Sequence, residues 1–180
     1  TTEVTNADKL FMYGECLQDG GERLADYIDV IGATTASSYG AAIRSSFNTG
    51  NLFISSLTNL NIGKAEPNVV TWVESHDTYC NAHESGWMND WQIRAGWAVI
   101  TARGNGTPLF FSRPEGSNGS GGNYWGNNVL GAKGNDEFKA TEVAAVNKFR
   151  NAMVGEKECL RNPNGNGKIL QIKGDENENF

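Results

Sequence analysis

Two carboxylic acids in this sequence each stand at the end of an apolar, strand-forming run. Glu15 follows Leu10-Phe11-Met12-Tyr13-Gly14, and Asp77 follows Val69-Val70-Thr71-Trp72-Val73-Glu74-Ser75-His76. In parallel α/β folds, side chains that do chemistry gather where strands end and loops begin. Two acids meeting in one mouth suit cleavage of a glycosidic bond: a protonated carboxyl acts as acid while an ionised carboxylate steadies positive charge. Proximity separates their pKa values, because like charges resist ionising together and burial favours the neutral form. Acids at strand ends also occur as plain solvated loop residues, and the spacing alone leaves both readings open.

For the two acids to share a mouth, their runs must be neighbouring parallel strands, and the periodicity along the chain supports this. Residues 10–13 read as a short buried strand. Leu24, Tyr27, Ile28 and Ile31 fall at i, i+3, i+4 and i+7, one face of a helix, with Gly32 placed as its C-cap. A weaker strand signal covers 34–38, and helical patterns cover 39–47 and 52–60. The clearest strand is 69–75, β-branched and aromatic, preceded by Pro67. Asn89, with Gln92 three residues on, predicts a capping box for a helix with Ile93, Trp97 and Ile100 facing inward and Arg103-Gly104 at its end. A strand over 109–112 follows Pro108, a position that needs no ladder donor. Then come a Gly-rich loop over 116–134 and a last helix over 141–154, with Val143, Val146, Phe149 and Met153 inward.

Strands alternating with helices predict a parallel sheet flanked by helices. Half of a (β/α)8 barrel and a small doubly wound sheet both satisfy the pattern; a whole barrel takes about 250 residues, so length alone favours the second. After Gly155 the character changes. Asn162-Pro163-Asn164-Gly165-Asn166-Gly167 is turn chemistry, and 168–173 reads as a strand before a polar end. A single unpartnered strand is not stable, so 168–173 reads as the start of a following β-domain.

Composition narrows the function. With 38% hydrophobic and 20% charged residues, the 180-residue chain reads as folded. The formal net charge of -6 argues against nucleic-acid binding, which needs clustered Lys and Arg. No apolar run approaches the roughly 18 residues that cross a membrane. Cys16, Cys80 and Cys159 are widely spaced and odd in number, which predicts free thiols rather than a zinc site or disulfide scaffold. The glycines at 116–122 lack a following Gly-Lys-Ser/Thr, so they do not read as a phosphate loop.

At the acids the chain resembles a known family. Phe11-Met12-Tyr13-Gly14-Glu15-Cys16-Leu17-Gln18 is similar to the fifth-strand motif of bacterial alpha-amylases. Val70-Thr71-Trp72-Val73-Glu74-Ser75-His76-Asp77-Thr78-Tyr79 resembles their seventh-strand motif, and Gly106-Thr107-Pro108-Leu109-Phe110-Phe111-Ser112-Arg113-Pro114-Glu115 their eighth-strand segment. The order and spacing of all three match from about Leu10 to Gly155. The resemblance implies an α/β fold: a partial (β/α)8 TIM barrel, strands 5 to 8 with their helices, over residues 1–155. Residues 156–180 would then begin a C-terminal antiparallel β-domain.

By the same resemblance, Glu15 stands at the general acid/base position and Asp77 at that of the carboxylate stabilising an oxocarbenium-like transition state. His76 stands where a histidine hydrogen-bonds sugar hydroxyls. The family's nucleophilic aspartate lies on the fourth strand in an Arg-x-Asp motif. Asp8, in Asn6-Ala7-Asp8-Lys9, does not match it, so strands one to four and the nucleophile are expected outside this sequence. Ser75 replaces an Asn that helps hold chloride in some members, which implies chloride independence. Calcium is the implied cofactor, with its ligands mainly outside this chain and no metal residue assigned here. The implied partner is starch or a maltooligosaccharide, cleaved by a secreted, extracellular, monomeric parent enzyme, and the 180 residues alone are expected to be inactive. A non-catalytic glucan-binding module and a transglycosylase on the same scaffold are the competing readings. Tyr124 and Trp125, in the loop after the last barrel strand, are candidate sugar-stacking residues; Trp87 and Trp91 are expected to pack, and His83 to be an exposed loop residue.

Overall fold

In the computed structural model, which describes residues 9–18, 21–58, 60, 62, 68–127, 129–162 and 170–174, the alternating pattern becomes a small parallel sheet with helices packed against it. Asp8, Pro67, the turn at 163–167, the first two residues of the strand expected at 168–173 and the polar stretch 175–180 lie outside the described residues.

Helix α1 (Leu24–Ile31) buries Leu24 and Ile28, while Tyr27 stays largely exposed, so its inward face is narrower than the periodicity predicts. It stops at Gly32, whose φ of 104° only glycine adopts without strain and whose N–H reaches the Ile28 carbonyl at 2.8 Å. Strand β1 (Thr34–Thr35) comes next, then helices α2 (Ser37–Thr49) and α3 (Ile54–Thr58), and strand β2 (Val69–Thr71). Helix α4 (Asp90–Ala102) opens on the predicted capping box: the Asn89 side chain accepts from the Gln92 N–H, and the Gln92 side chain accepts from the Asn89 N–H, both at 2.9 Å. Strand β3 (Thr107–Pro108) and helix α5 (Thr141–Ala152) complete this part.

The sheet order is β1-β2-β3, all parallel, with Thr34 opposite Val69 and Val70 opposite Thr107. Gly14 adds a parallel bridge to Thr34 on the outer side of β1, so the two acid-bearing runs, expected as neighbours, are instead separated by β1. The strands are shorter than the sequence suggests. Residues 109–112 leave the ladder after the Leu109 N–H reaches the Thr71 carbonyl. Residues 10–13 carry exposed rather than buried side chains, because no described element covers them.

The core lies between β2 and the helices. Ile43, Val69, Val73, Ile93, Trp97 and Ile100 are buried in it, and truncating a fully buried side chain such as Ile43 to Ala costs about 2–5 kcal/mol. Two glycines permit the close approach: a Cβ on Gly40 of α2 would meet the Trp72 carbonyl oxygen at 2.8 Å, and one on Gly96 of α4 would meet both Val73 methyls at 2.9 Å. Helix α5 packs on α4 through Val143 and a Trp97 Nε1–Asn147 Oδ1 hydrogen bond of 3.0 Å, although Phe149, expected inward, is partly exposed.

The strand predicted over 168–173 is not alone. Strand β5 (Leu170–Gly174) pairs antiparallel with β4 (Lys157–Arg161), Cys159 opposite Ile172. The pattern missed β4 because Lys-Glu-Cys-Leu-Arg is too polar and too short to stand out. Glu158 fastens this pair to the end of α4, accepting from Arg103 Nε and the Gly104 N–H, both at 2.6 Å. Among the described residues no helix is long and apolar enough to cross a membrane.

Candidate active site

Glu15 is positioned by β1. The Gly14 N–H donates to the Ala33 carbonyl at 2.9 Å and the Thr35 N–H to the Gly14 carbonyl at 3.1 Å, so the residue before Glu15 is held in register. The Thr35 hydroxyl both accepts from the Cys16 N–H and donates to the Cys16 carbonyl, each at 3.1 Å. Glu15 is thereby bracketed on both sides while its own side chain stays exposed.

Asp77 is positioned by the turn that leaves β2. The Ser75 N–H donates to Thr78 Oγ1 at 2.8 Å, and the chain then passes through one widened helical turn, Asp77–Asn81, closed by the Ala82 N–H on the Asp77 carbonyl at 2.7 Å. Single π-type turns of this kind recur at functional sites. Asn81 donates through Nδ2 to Asp77 Oδ1, and His76 Nε2 lies 3.5 Å from the same oxygen.

These elements bring Glu15 and Asp77 to the wall of one cleft of about 440 Å³, together with Gln18, Arg44, Trp72 and Asn81. Arg44 reaches it from α2, donating to the Val73 carbonyl at 3.0 Å and to Glu84 Oε2 at 2.7 Å. Burial lowers the Arg44 pKa, and the Glu84 carboxylate offsets part of that. His76 does not line this cleft. It lines a second pocket of about 410 Å³ with Trp125, Phe111 and Glu115.

The chain also holds a buried ion pair that sequence reasoning did not find. Arg113 donates through Nε to Glu74 Oε1 and through Nη2 to Glu74 Oε2, both at 2.8 Å. It also donates to the Met88 carbonyl at 2.8 Å and the Ser85 carbonyl at 3.0 Å, while Ser85 Oγ donates to Glu74 at 2.7 Å. The guanidinium carbon sits 4.2 Å from the centroid of buried Tyr79. A planar fork matched to a carboxylate, with further donors satisfied by carbonyls, is what a buried charge pair requires. Glu74 is the lone charge in the 69–75 run, a signal that it needs a buried partner; the 39-residue separation hides which one.

The two loop aromatics differ. Tyr124 is stacked on His83 at 3.7 Å and meets Tyr79 edge-on at 5.5 Å, whereas Trp125 is half exposed. His83 is exposed, as expected, at a positive φ of 60°. Trp91 touches Phe47 edge-on but remains largely exposed, and Trp87 donates through Nε1 to the Glu84 carbonyl, so the packing expected of both is partial. All three cysteines are unpaired, with Cys80 buried and Cys16 packed against the core. Among the described residues no three His, Cys, Asp or Glu side chains converge to hold a metal, so no calcium ligand is assigned.

No protein-family model matches the chain. It is 46% identical over 178 residues to an alpha-amylase of Butyrivibrio fibrisolvens, the match covering 92% of this chain and 18% of that protein. It is 34% identical over 171 residues to an alpha-amylase of Clostridium acetobutylicum, covering 94% of this chain and 20% of that protein. The chain thus spans about a fifth of the length of these curated relatives. Its similarity to these two proteins fits a fragment of an alpha-amylase.

Proposed function

We propose that this chain is the part of a starch-degrading enzyme that supplies the acid/base side of endo-hydrolysis at α-1,4-glucosidic bonds, with retention of configuration. The observation that carries the reading is the shared cleft of Glu15 and Asp77, reached from two strand ends of a chain homologous to alpha-amylases. In this reading the parallel strands are the later staves of a (β/α)8 barrel over residues 1–155, and the β4–β5 pair belongs to a following β-domain over 156–180.

Glu15 protonates the leaving glycosidic oxygen and then takes a proton from the water that completes the second step. The nucleophile, about 5–5.5 Å from it in a retaining enzyme, comes from chain outside these 180 residues. Asp77 sets its carboxylate against the positive charge that develops at the ring, held in place by the Asn81 Nδ2 donor on its Oδ1. His76 hydrogen-bonds a sugar hydroxyl. The parent enzyme is secreted and monomeric, its substrate is starch or a maltooligosaccharide, and any calcium is held by residues elsewhere. Without the nucleophile the 180 residues alone release no sugar.

The test is Glu15→Gln in the enzyme carrying this segment. Starch hydrolysis should fall at least about a hundredfold, the low end of the contribution of a positioned acid/base. Retention of more than a small fraction of the rate would end this assignment.

A further inference from the structure

We propose that Thr35 is a positioning residue for the acid/base step, its hydroxyl fixing the point at which Glu15 leaves the sheet. The inference rests on the proposed function for the role of Glu15. Three observations carry it.

The first is how the ladder ends. Two main-chain bonds tie the Glu15 run to β1, from the Gly14 N–H to the Ala33 carbonyl and from the Thr35 N–H to the Gly14 carbonyl. In a parallel ladder that continued, the Cys16 N–H would donate to the Thr35 carbonyl, and the Cys16 carbonyl would accept from the Ser37 N–H. Both Cys16 groups meet the Thr35 hydroxyl instead, which accepts from the N–H and donates to the carbonyl at 3.1 Å each. One hydroxyl, with one proton and two lone pairs, thus stands in for two main-chain partners. The strand stops without leaving Cys16 unpaired, and Ser37 is released to open α2.

The second is the length of chain this hydroxyl controls. Beyond Cys16 the run is held again at Gln18, whose N–H donates to Ser37 Oγ at 3.3 Å and whose Oε1 accepts from the Ser38 N–H at 2.8 Å. With the Thr35 hydroxyl in place, Glu15 is the one residue between the anchors at Gly14 and Cys16. Without it the span between anchors is three residues, 15–17. A shift of about 1 Å in a reacting group costs up to about a hundredfold in rate, so the length of that span bears on catalysis.

The third is the contrast between adjacent threonines. Thr34 is fully buried and its hydroxyl has no hydrogen-bond partner among the described residues, whereas the Thr35 hydroxyl, also buried, is used twice. Both residues suit a strand through their branched Cβ, a shape that Val shares. The hydroxyl at 35 therefore has a task that the one at 34 lacks.

The experiment compares two substrates of the enzyme carrying this segment. A maltooligosaccharide has a leaving oxygen that needs the Glu15 proton; maltosyl fluoride loses fluoride with little proton transfer. Thr35→Val should lower kcat/KM about tenfold on the oligosaccharide and less than about threefold on the fluoride. Thr35→Ser and Thr34→Val should stay within about threefold of wild type on both. Unchanged rates in Thr35→Val overturn the proposal. So do equal losses on the two substrates, which mark general damage rather than a misplaced acid, and so does a Thr35→Ser or Thr34→Val variant as slow as Thr35→Val. Failure of the catalytic reading shows up separately, as starch hydrolysis retained by Glu15→Gln alone.

Discussion

Arg113 holds Glu74 with both arms of its guanidinium, 2.8 Å at each oxygen, and its guanidinium carbon lies 4.2 Å from the ring centroid of Tyr79, within the Asp77–Asn81 turn. One partner follows β2 and the other follows β3, so the pair fixes the segments leaving two strands relative to each other. Removing one partner strands a buried charge, at a cost of about 3–5 kcal/mol, whereas removing both with apolar replacements costs much less. Glu74→Gln and Arg113→Met should each lower unfolding free energy by that amount in denaturant titrations, and the double variant should recover most of the loss. Strictly additive losses would mean that the pair does not act as a unit.

Asp77→Asn keeps the shape of the side chain and its hydrogen bond from Asn81 but removes the negative charge. If Asp77 stabilises charge formed only in the transition state, kcat on maltooligosaccharides should fall about a hundredfold or more with KM little changed. A rise in KM at constant kcat would make Asp77 a ground-state binding residue instead.

Tyr39, on α2, is buried near Arg103 and Glu158, and burial pushes its phenol up from 10.0 to about 12, with Arg103 opposing and Glu158 adding to the effect. The unfolded phenol loses its proton near pH 10, the folded one only near 12. Between those values the native state holds more protons, so its stability falls as pH rises. The contribution is whole below pH 10 and is lost through pH 12, up to about 3 kcal/mol. Tyr39→Phe should lose less stability than wild type over that window. Parallel stability–pH curves for the two proteins would contradict the role given to burial.

Gly126→Ala places a Cβ at 2.2 Å from the Glu115 carbonyl oxygen at a φ of 59°. The loop must move, at a cost of about 1–3 kcal/mol. Amide exchange should accelerate at Asn118 and Asn123, which close the turn beside it, while the amide of Ile93 in α4 exchanges at its original rate. Unaltered exchange at both asparagines would show that the loop tolerates the side chain.

Local signals in the sequence reached as far as local physics does. The Asn89–Gln92 capping box, the Gly32 stop and the buried Ile93, Trp97 and Ile100 face were legible because each depends on residues within about two turns. The shared cleft was legible because strand-end position and homology to a known motif order both pointed to it. What escaped depends on distant partners. Strand β4 is defined by pairing with β5, Glu74 by Arg113, and Tyr124 by His83, and no window of sequence displays those meetings. Residues 10–13 read as buried on composition, yet exposure is decided by what packs against a segment, and no described element does.

The two glycines that let α2 and α4 rest on β2 work as a caliper. At Gly40 and Gly96 the gap between helix layer and sheet is set by bare backbone and by the Val73 methyls, a few residues before Asp77. A single added methyl at either place would press on Trp72 or Val73, in the stretch that leads from β2 to Asp77. The cleft wall that carries Asp77 is thus gauged by the helices that rest on that stretch.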